Sequence, residues 1–270
     1  VQTVRRFRHE QFSVAQLKKS KGDSVVSVCI PARNEAATVG SIVSCICEEL
    51  MGVGLVDELL VIDDNSSDDT AQVARAAGAG VVAAGSAVEA AGSVVEAAGW
   101  GPGKGGAMRD GLAASSGDIV VFCDADVTNF GPHYVVGLVG PLLAEPDLAM
   151  VKAYYRRPFE GAPGQGGRVT ELVARPLISL LFPELCDVEQ PLAGECAARR
   201  EVLECLPFTH GYGVELGLLI DLVAELGLPV LGQVDLGIRV HRNRPLEELS
   251  AQATAVMKAA LDRARVTDPK

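Results

Sequence analysis

A chain of 270 residues, 48% apolar and 22% charged, is neither disordered, collagenous nor a coiled coil. At this length folding buries roughly three-quarters of the unfolded surface, so a stable core needs no covalent staples. With 24 Lys and Arg against 35 Asp and Glu the formal charge is −11, which excludes a general nucleic-acid binder and obliges any anionic ligand to be met by a local cluster of donors.

Residues 1–23 form a polar, basic N-terminal extension carrying Arg5, Arg6, Arg8, Lys18, Lys19 and Lys21. Residues 24–30 (SVVSVCI) read as a β-branched strand, and residues 35–50 as a helix with apolar positions at Val39, Ile42, Val43, Ile46 and Leu50. A second buried strand spans 58–62 (ELLVI), followed by a helix from about Asp68 to Ala77 that stops at Gly78. Strands at 80–84 and 118–123 (DIVVFC) flank a helix that starts near Lys104 and ends at Gly117. Between them residues 83–103 are Ala- and Gly-rich and of low complexity, which fits a loop. The second half is less regular. It offers a strand at 149–155, a Gly/Pro-rich loop at 160–167, helical stretches at 170–181 and 213–226, a strand near 230–240 and a helix at 246–265. Strands alternating with helices imply an α/β fold with a mostly parallel central sheet, helices on both faces and ligands at the carboxyl ends of the strands. No linker separates independent domains. The reading is one domain with two halves after the extension, the first at 24–150 and the second at 151–270 with the C-terminal helix.

Three polar loops each follow a strand at that edge. Asp124-Ala125-Asp126 places two carboxylates side by side, which repel unless a cation lies between them; a divalent metal carrying a diphosphate is the economical answer, and a turn using Asp for local hydrogen bonds the bland one. Pro31-Ala32-Arg33-Asn34-Glu35 brings backbone amides, a guanidinium and a carboxylate to a helix start. The 63–68 loop (DDNSSD) offers acceptors for a base or ribose, or a helix cap. The seven cysteines (Cys29, Cys45, Cys47, Cys123, Cys186, Cys196, Cys205) are odd in number and lack paired metal-ligand spacing, so they read as reduced core thiols. With no apolar leader core and no 18-residue apolar run, the expectation is a cytoplasmic protein without membrane contact.

VCIPARNE, VIDDNSSDDT and FCDADV in this order resemble a GT-A nucleotide-sugar glycosyltransferase. The later segments GGRVTEL at 166–172, QPLAGE at 190–195, GYGVE at 211–215 and HRNRPL at 241–246 narrow the resemblance to the glucosyl-3-phosphoglycerate and mannosyl-3-phosphoglycerate synthases, over about residues 25–249. The chain departs from the usual glucosyl pattern at Arg33, Ala125 and Ala193. The resemblance implies a GT-A, Rossmann-like fold and retaining transfer of a hexose from UDP-glucose, GDP-glucose or GDP-mannose to the 2-hydroxyl of D-3-phosphoglycerate. It implies Mg²⁺, or Mn²⁺ or Co²⁺, held by Asp126 and His241. It places Pro31, Ala32, Arg33, Glu35, Asp64, Lys104, Asp124, Ala125, Gly194, Glu195 and Tyr212 at the donor and Gly167, Arg168, Thr170 and Asn243 at the acceptor. Catalytic roles fall to Glu215, Asp126 and Lys104, and a homodimer is implied as well. Beside it stand a polyprenyl-phosphate or polysaccharide glycosyltransferase, for which the segment from Arg5 to Lys21 is the one membrane-facing candidate, and a non-catalytic nucleotide-sugar binding module.

Overall fold

The structure, a computed structural model, describes residues 3–86, 103–157, 167–240 and 246–267. Strands β1 (Arg5–Arg8), β2 (Val26–Ala32), β3 (Glu58–Asp63), β4 (Gly80–Ala83), β5 (Ile119–Phe122), β6 (Met150–Arg156), β7 (Cys196–Arg199) and β8 (Leu231–Ile238) form one sheet in the order β1-β8-β6-β7-β5-β2-β3-β4. Only β7 runs against its neighbours β5 and β6; every other pairing is parallel. The carboxyl ends of β2, β3, β5, β6 and β8 therefore share one edge with the amino end of β7.

Helices cover both faces, as the alternation along each strand requires. Val28, Ile30, Val61 and Val121 point into a core built with α1 (Val14–Lys21), α2 (Val39–Ile46), α3 (Thr70–Ala77) and α5 (His133–Ala144). Cys29, Ile62, Val120 and Phe122 point into the opposite core, built with α4 (Lys104–Ala114), α6 (Arg175–Leu181), α8 (Val214–Leu226) and α9 (Leu246–Thr267). A short helix α7 (Arg200–Cys205) follows β7.

The anticipated apolar stripe of α2 is fully buried, with Leu50 in a π-turn (Cys47–Met51) that extends the helix. The helix nevertheless starts at Val39, four residues later than its pattern suggests. Asn34 adopts a φ of 56°, and the Glu35 and Ala36 amides donate to Thr70 Oγ1 (2.8 Å) and Asp68 Oδ2 (3.2 Å) across the next loop.

Residues 1–23 were set apart as an extension, yet Arg5–Arg8 is the edge strand beside β8. Its arginines are engaged: Arg5 with Glu145 and Asp147, Arg6 with Asp187 and Glu189. Phe12 and His9 pack where Gly140 and Gly137 of α5 leave room, and a Cβ at Gly137 would stand 3.0 Å from His9 Cβ. Among the described residues no helix is long and apolar enough to cross a membrane. All seven cysteines are free, but Cys186 and Cys205 are exposed rather than in the core, the first just after a 3-10 turn (Pro183–Leu185) and the second at the last position of α7.

Candidate active site

A cavity of about 270 Å³ opens at the shared strand edge. Its first wall comes from the loops after β2 and β3. Pro31, Ala32, Arg33, Glu35 and Asp64 line it. The two loops hold each other: Ser67 N donates to Asn34 Oδ1 (2.7 Å), Asn34 N to Ser66 Oγ (3.0 Å), and Asp68 accepts from Ala36 and Thr70. Asp68 thus serves the loop itself, while Asp64, 5% exposed, takes the Gly103 amide at 3.1 Å and stands 3.8 Å from the Arg33 guanidinium. That contact joins the start of α4 to the same wall.

The floor is an ion cluster. Lys104, the first residue of α4, sits 2.5 Å from Asp124 Oδ1 and 2.7 Å from Glu215 Oε1 near the start of α8. Arg239, just beyond β8, places Nη2 at 2.7 Å from both Asp124 Oδ2 and Asp126 Oδ1. The two aspartates that seemed to require a metal between them are therefore already bridged by a guanidinium, because β8 delivers its carboxyl end beside that of β5. Burial works to raise the Asp124 carboxyl, but Lys104 and Arg239 outweigh it and hold the group well below the usual carboxylate range. Burial likewise works to lower Lys104, yet Asp124 and Glu215 hold it well above the ordinary lysine value, so it remains a permanent cation.

The opposite wall carries Gly167, Arg168 and Thr170, with Arg157 beside them. Gly167 has a φ of 86°, a backbone that favours glycine, and its carbonyl accepts from Glu171 N at 3.1 Å. Tyr212 stands at the mouth, 37% exposed. Ala125 and Leu192 complete the lining near the floor.

Two expected donor contacts sit differently. Glu195 is fully buried beneath the floor rather than lining it. It accepts from Tyr155 Oη (2.7 Å) and stands 3.2 Å from Arg239 Nε, because the amino end of the antiparallel strand β7 enters the sheet from below. Burial pushes its carboxyl up, and Arg239 offsets this only in part. Gly194 is spacing: a Cβ there would collide with the Asp124 carboxylate and with Lys104 Nζ. His241 and Asn243 lie outside the described residues, as do residues 158–166 and 87–102.

Sequence reasoning gives no role to Arg239, Arg157, Tyr155 or Lys152, although 151–158 belongs to the segments that carry the resemblance. Lys152 is a buried ammonium, 3% exposed, that donates to Ala193 O at 2.8 Å and so anchors the turn before Gly194; burial holds its value below that of an ordinary lysine. The signal for the arginines was present, since the strand-end rule that found the first three loops applies equally to β6 and β8.

The family model of glycosyl transferase family 2 matches residues 27–206. The chain is 48% identical to the glucosyl-3-phosphoglycerate synthase of Mycobacterium tuberculosis over 95% of its own length and 79% of that protein's. A crystal structure of the M. tuberculosis enzyme with Mn²⁺, UDP-glucose and phosphoglyceric acid superposes with a TM-score of 0.88 at 46% identity, covering 99% of this chain and 89% of that one. The chain belongs to the glucosyl-3-phosphoglycerate synthase family. As a member of this synthase family it is a metal-dependent glycosyltransferase of GT-A fold. A further structure of the M. tuberculosis synthase contains Mg²⁺ and UDP (45% identity, TM-score 0.87, 99% of this chain and 88% of that one).

The donor set suits such an ion. Asp126 lines the cavity with its side chain 17% exposed, and among the described residues its contacts use Oδ1 alone. No group of three or more His, Cys, Asp or Glu capable of caging a metal occurs among the described residues. A hard cation that takes one or two protein carboxylates and completes its shell with phosphate oxygens matches that arrangement.

Proposed function

We propose that this chain transfers glucose from UDP-glucose to the 2-hydroxyl of D-3-phosphoglycerate with retention at the anomeric carbon, as a cytoplasmic homodimer using Mg²⁺ or Mn²⁺. The observation that carries the reading is the joining of two walls in one cavity: the Arg33–Asp64 side and the Gly167–Thr170 side face each other across Lys104 and Glu215. Support for UDP and glucose comes from the relative whose crystals hold UDP-glucose together with phosphoglyceric acid. The free thiols, two of them exposed, suit a reducing compartment. Leu172 and Leu180, 76% and 79% exposed on the surface next to the Gly167 wall, suit the contact of two copies.

In this reading the backbone of Pro31 and Ala32, with Arg33, Glu35 and Asp64, holds the nucleoside. Lys104 meets the diphosphate as a fixed positive charge, positioned by Asp124 and Glu215 and needing no reorganisation when charge develops on the leaving group. Asp126 and His241 hold the divalent ion, which when bound supplies further stabilisation of that charge. Gly167, Arg168, Thr170 and Asn243 cradle the acceptor's phosphate and carboxylate, a task for which a planar guanidinium and close backbone amides are suited. Glu215, ion-paired to Lys104, faces the sugar with Tyr212 and favours positive charge at the anomeric carbon rather than forming a bond to it.

Incubation with Mg²⁺, 3-phosphoglycerate and in turn UDP-glucose, GDP-glucose and GDP-mannose tests this. Release of UDP with an α-linked glucosylated product, read by NMR, is expected. Turnover only with a mannose donor, or nucleotide release that ignores the acceptor, overturns it.

A further inference from the structure

Two arginines share one tyrosine. Tyr155 Oη accepts from Arg157 Nη2 at 2.8 Å and from Arg239 Nη1 at 2.9 Å and donates to Glu195 at 2.7 Å, and the two guanidinium carbons lie 4.9 and 5.3 Å from its ring centroid. Both lone pairs and the one proton of that hydroxyl are committed, so it aims the two guanidiniums and has nothing left for a ligand. The arginines differ in their charge partners. Arg239 has Asp124, Asp126 and Glu195, whereas among the described residues no carboxylate pairs with Arg157, and its Nε is buried without a hydrogen-bond partner. A half-buried guanidinium that lines a cavity and lacks an anion of its own is suited to an anionic ligand.

Its position says which anion. Arg157, Gly167 and Thr170 line the active-site cavity and also a second cavity of about 260 Å³, so they form the partition between the two. Arg157 Nη1 and Thr170 Oγ1 converge on one spot there: a Cβ at Gly167 would stand 3.6 Å from the first and 3.7 Å from the second, a space that glycine leaves open. In 3-phosphoglycerate the carboxylate is bonded to the carbon that bears the reacting hydroxyl, while the phosphate hangs one carbon further on. With that hydroxyl turned to the sugar, the phosphate is the group that reaches the partition. It also carries about two negative charges at neutral pH, and of the residues assigned to the acceptor above only Arg168 is a cation. We propose that Arg157 is a further substrate-binding residue, which takes the acceptor's phosphate together with Gly167 and Thr170, and that Tyr155 is the positioning residue that aims it. The proposal rests on the reading above that the Gly167–Thr170 wall holds the acceptor.

The test is calorimetric titration of the intact protein, in the presence of Mg²⁺ and UDP and without turnover, by three ligands: 3-phosphoglycerate, glycerol 3-phosphate, which lacks the carboxylate, and glycerate, which lacks the phosphate. Arg157→Ala is expected to weaken the two phosphate-bearing ligands by about 10- to 100-fold and glycerate by no more than about twofold. Arg157→Lys keeps the charge without the planar fork and should lose about tenfold or less. Tyr155→Phe keeps the ring and removes the hydroxyl. It should weaken 3-phosphoglycerate by about three- to tenfold in the unmodified background but by less than about twofold in Arg157→Ala, because a residue that acts through another has no effect once that other is gone. An equal loss in both backgrounds overturns the positioning role; should Tyr155→Phe not fold, the Arg157 variants decide. Unchanged binding of 3-phosphoglycerate by Arg157→Ala overturns the proposal, and so does a loss confined to the ligands that carry a carboxylate. If the phosphate-bearing ligands depend on Arg157 as stated but no glucose is transferred to 3-phosphoglycerate, the phosphate site stands and the functional reading alone falls. If glucose is transferred and Arg157→Ala binds the acceptor unchanged, the proposal alone falls.

Discussion

The floor and the rim of the cavity are built on opposite principles. On the floor, Arg239 and Glu195 are buried, Lys104 and Asp124 are less than a fifth exposed, and the four are held by one another at hydrogen-bonding distance. On the rim, Arg33 is 59% exposed and its nearest carboxylate is 3.8 Å away. A charge fixed in low dielectric acts strongly on a developing charge, whereas one screened by water captures ligand without deciding the rate. On the proposed function, the floor sets the barrier and the rim collects the substrates.

The sharpest break in that contrast is Lys104→Ala. It removes the cation from between Asp124 and Glu215, so kcat should fall by about a thousandfold, in the range seen when a preorganised electrostatic donor is lost. The same variant takes the described partner from the buried Glu215 carboxylate and leaves Asp124 with Arg239 alone, at a cost of about 3–5 kcal/mol in denaturant unfolding. Its acid limb should also move. A carboxyl depressed in the folded state contributes stability that is present above its unfolded value near pH 4 and is lost only as pH falls through the depressed one. Without Lys104 the Asp124 value rises, so acid unfolding begins at higher pH than in the unmodified chain. An unshifted acid midpoint would show that Lys104 does not hold Asp124 down.

Arg168→Ala addresses the rim. Loss of one charge-assisted contact, about 1.5–3 kcal/mol, should raise the acceptor KM by about 10- to 100-fold while the donor KM stays within about threefold. A larger effect on donor than on acceptor would move the acceptor wall elsewhere. Gly194→Ala returns to the floor. Its added methyl collides with Asp124 and Lys104, and kcat should drop by about tenfold with a loss of about 1–3 kcal/mol in stability. Arg33→Ala, exposed and loosely paired, should raise the donor KM by no more than about threefold with kcat unchanged; an effect as large as that of Lys104→Ala would erase the distinction between floor and rim.

Much of the donor half was legible because its strands are continuous β-branched runs, each ending in a polar loop. The second half was less so. Helix α5 (HYVVGLVGPLLA) is apolar all round and interrupted by Gly137, Gly140 and Pro141, so it carries no amphipathic period to read; its burial against the sheet and the N-terminal segment makes it helical. Strand β7 is Cys-Ala-Ala-Arg, with no β-branched residue, and exists because β5 and β6 leave a gap between them. The same antiparallel strand hid the role of Glu195, whose place below the floor depends on a reversal of direction that no local pattern encodes. The Asp124–Asp126 pair suggests a divalent metal from its sequence alone, whereas the cation that bridges it is Arg239, 113 residues from Asp126 in sequence, and only the sheet order reveals the match.

The edge strand β1 places three arginines beside the strand that delivers Arg239. Trimming the chain to Ser24 would bare the backbone of β8 along its outer side and strip away the positive residues that discourage a second sheet from zipping onto it. What looks like a dispensable leader is a guard rail: shortening it invites clumping of the molecules and loosens the strap from which the catalytic cleft's buried arginine hangs.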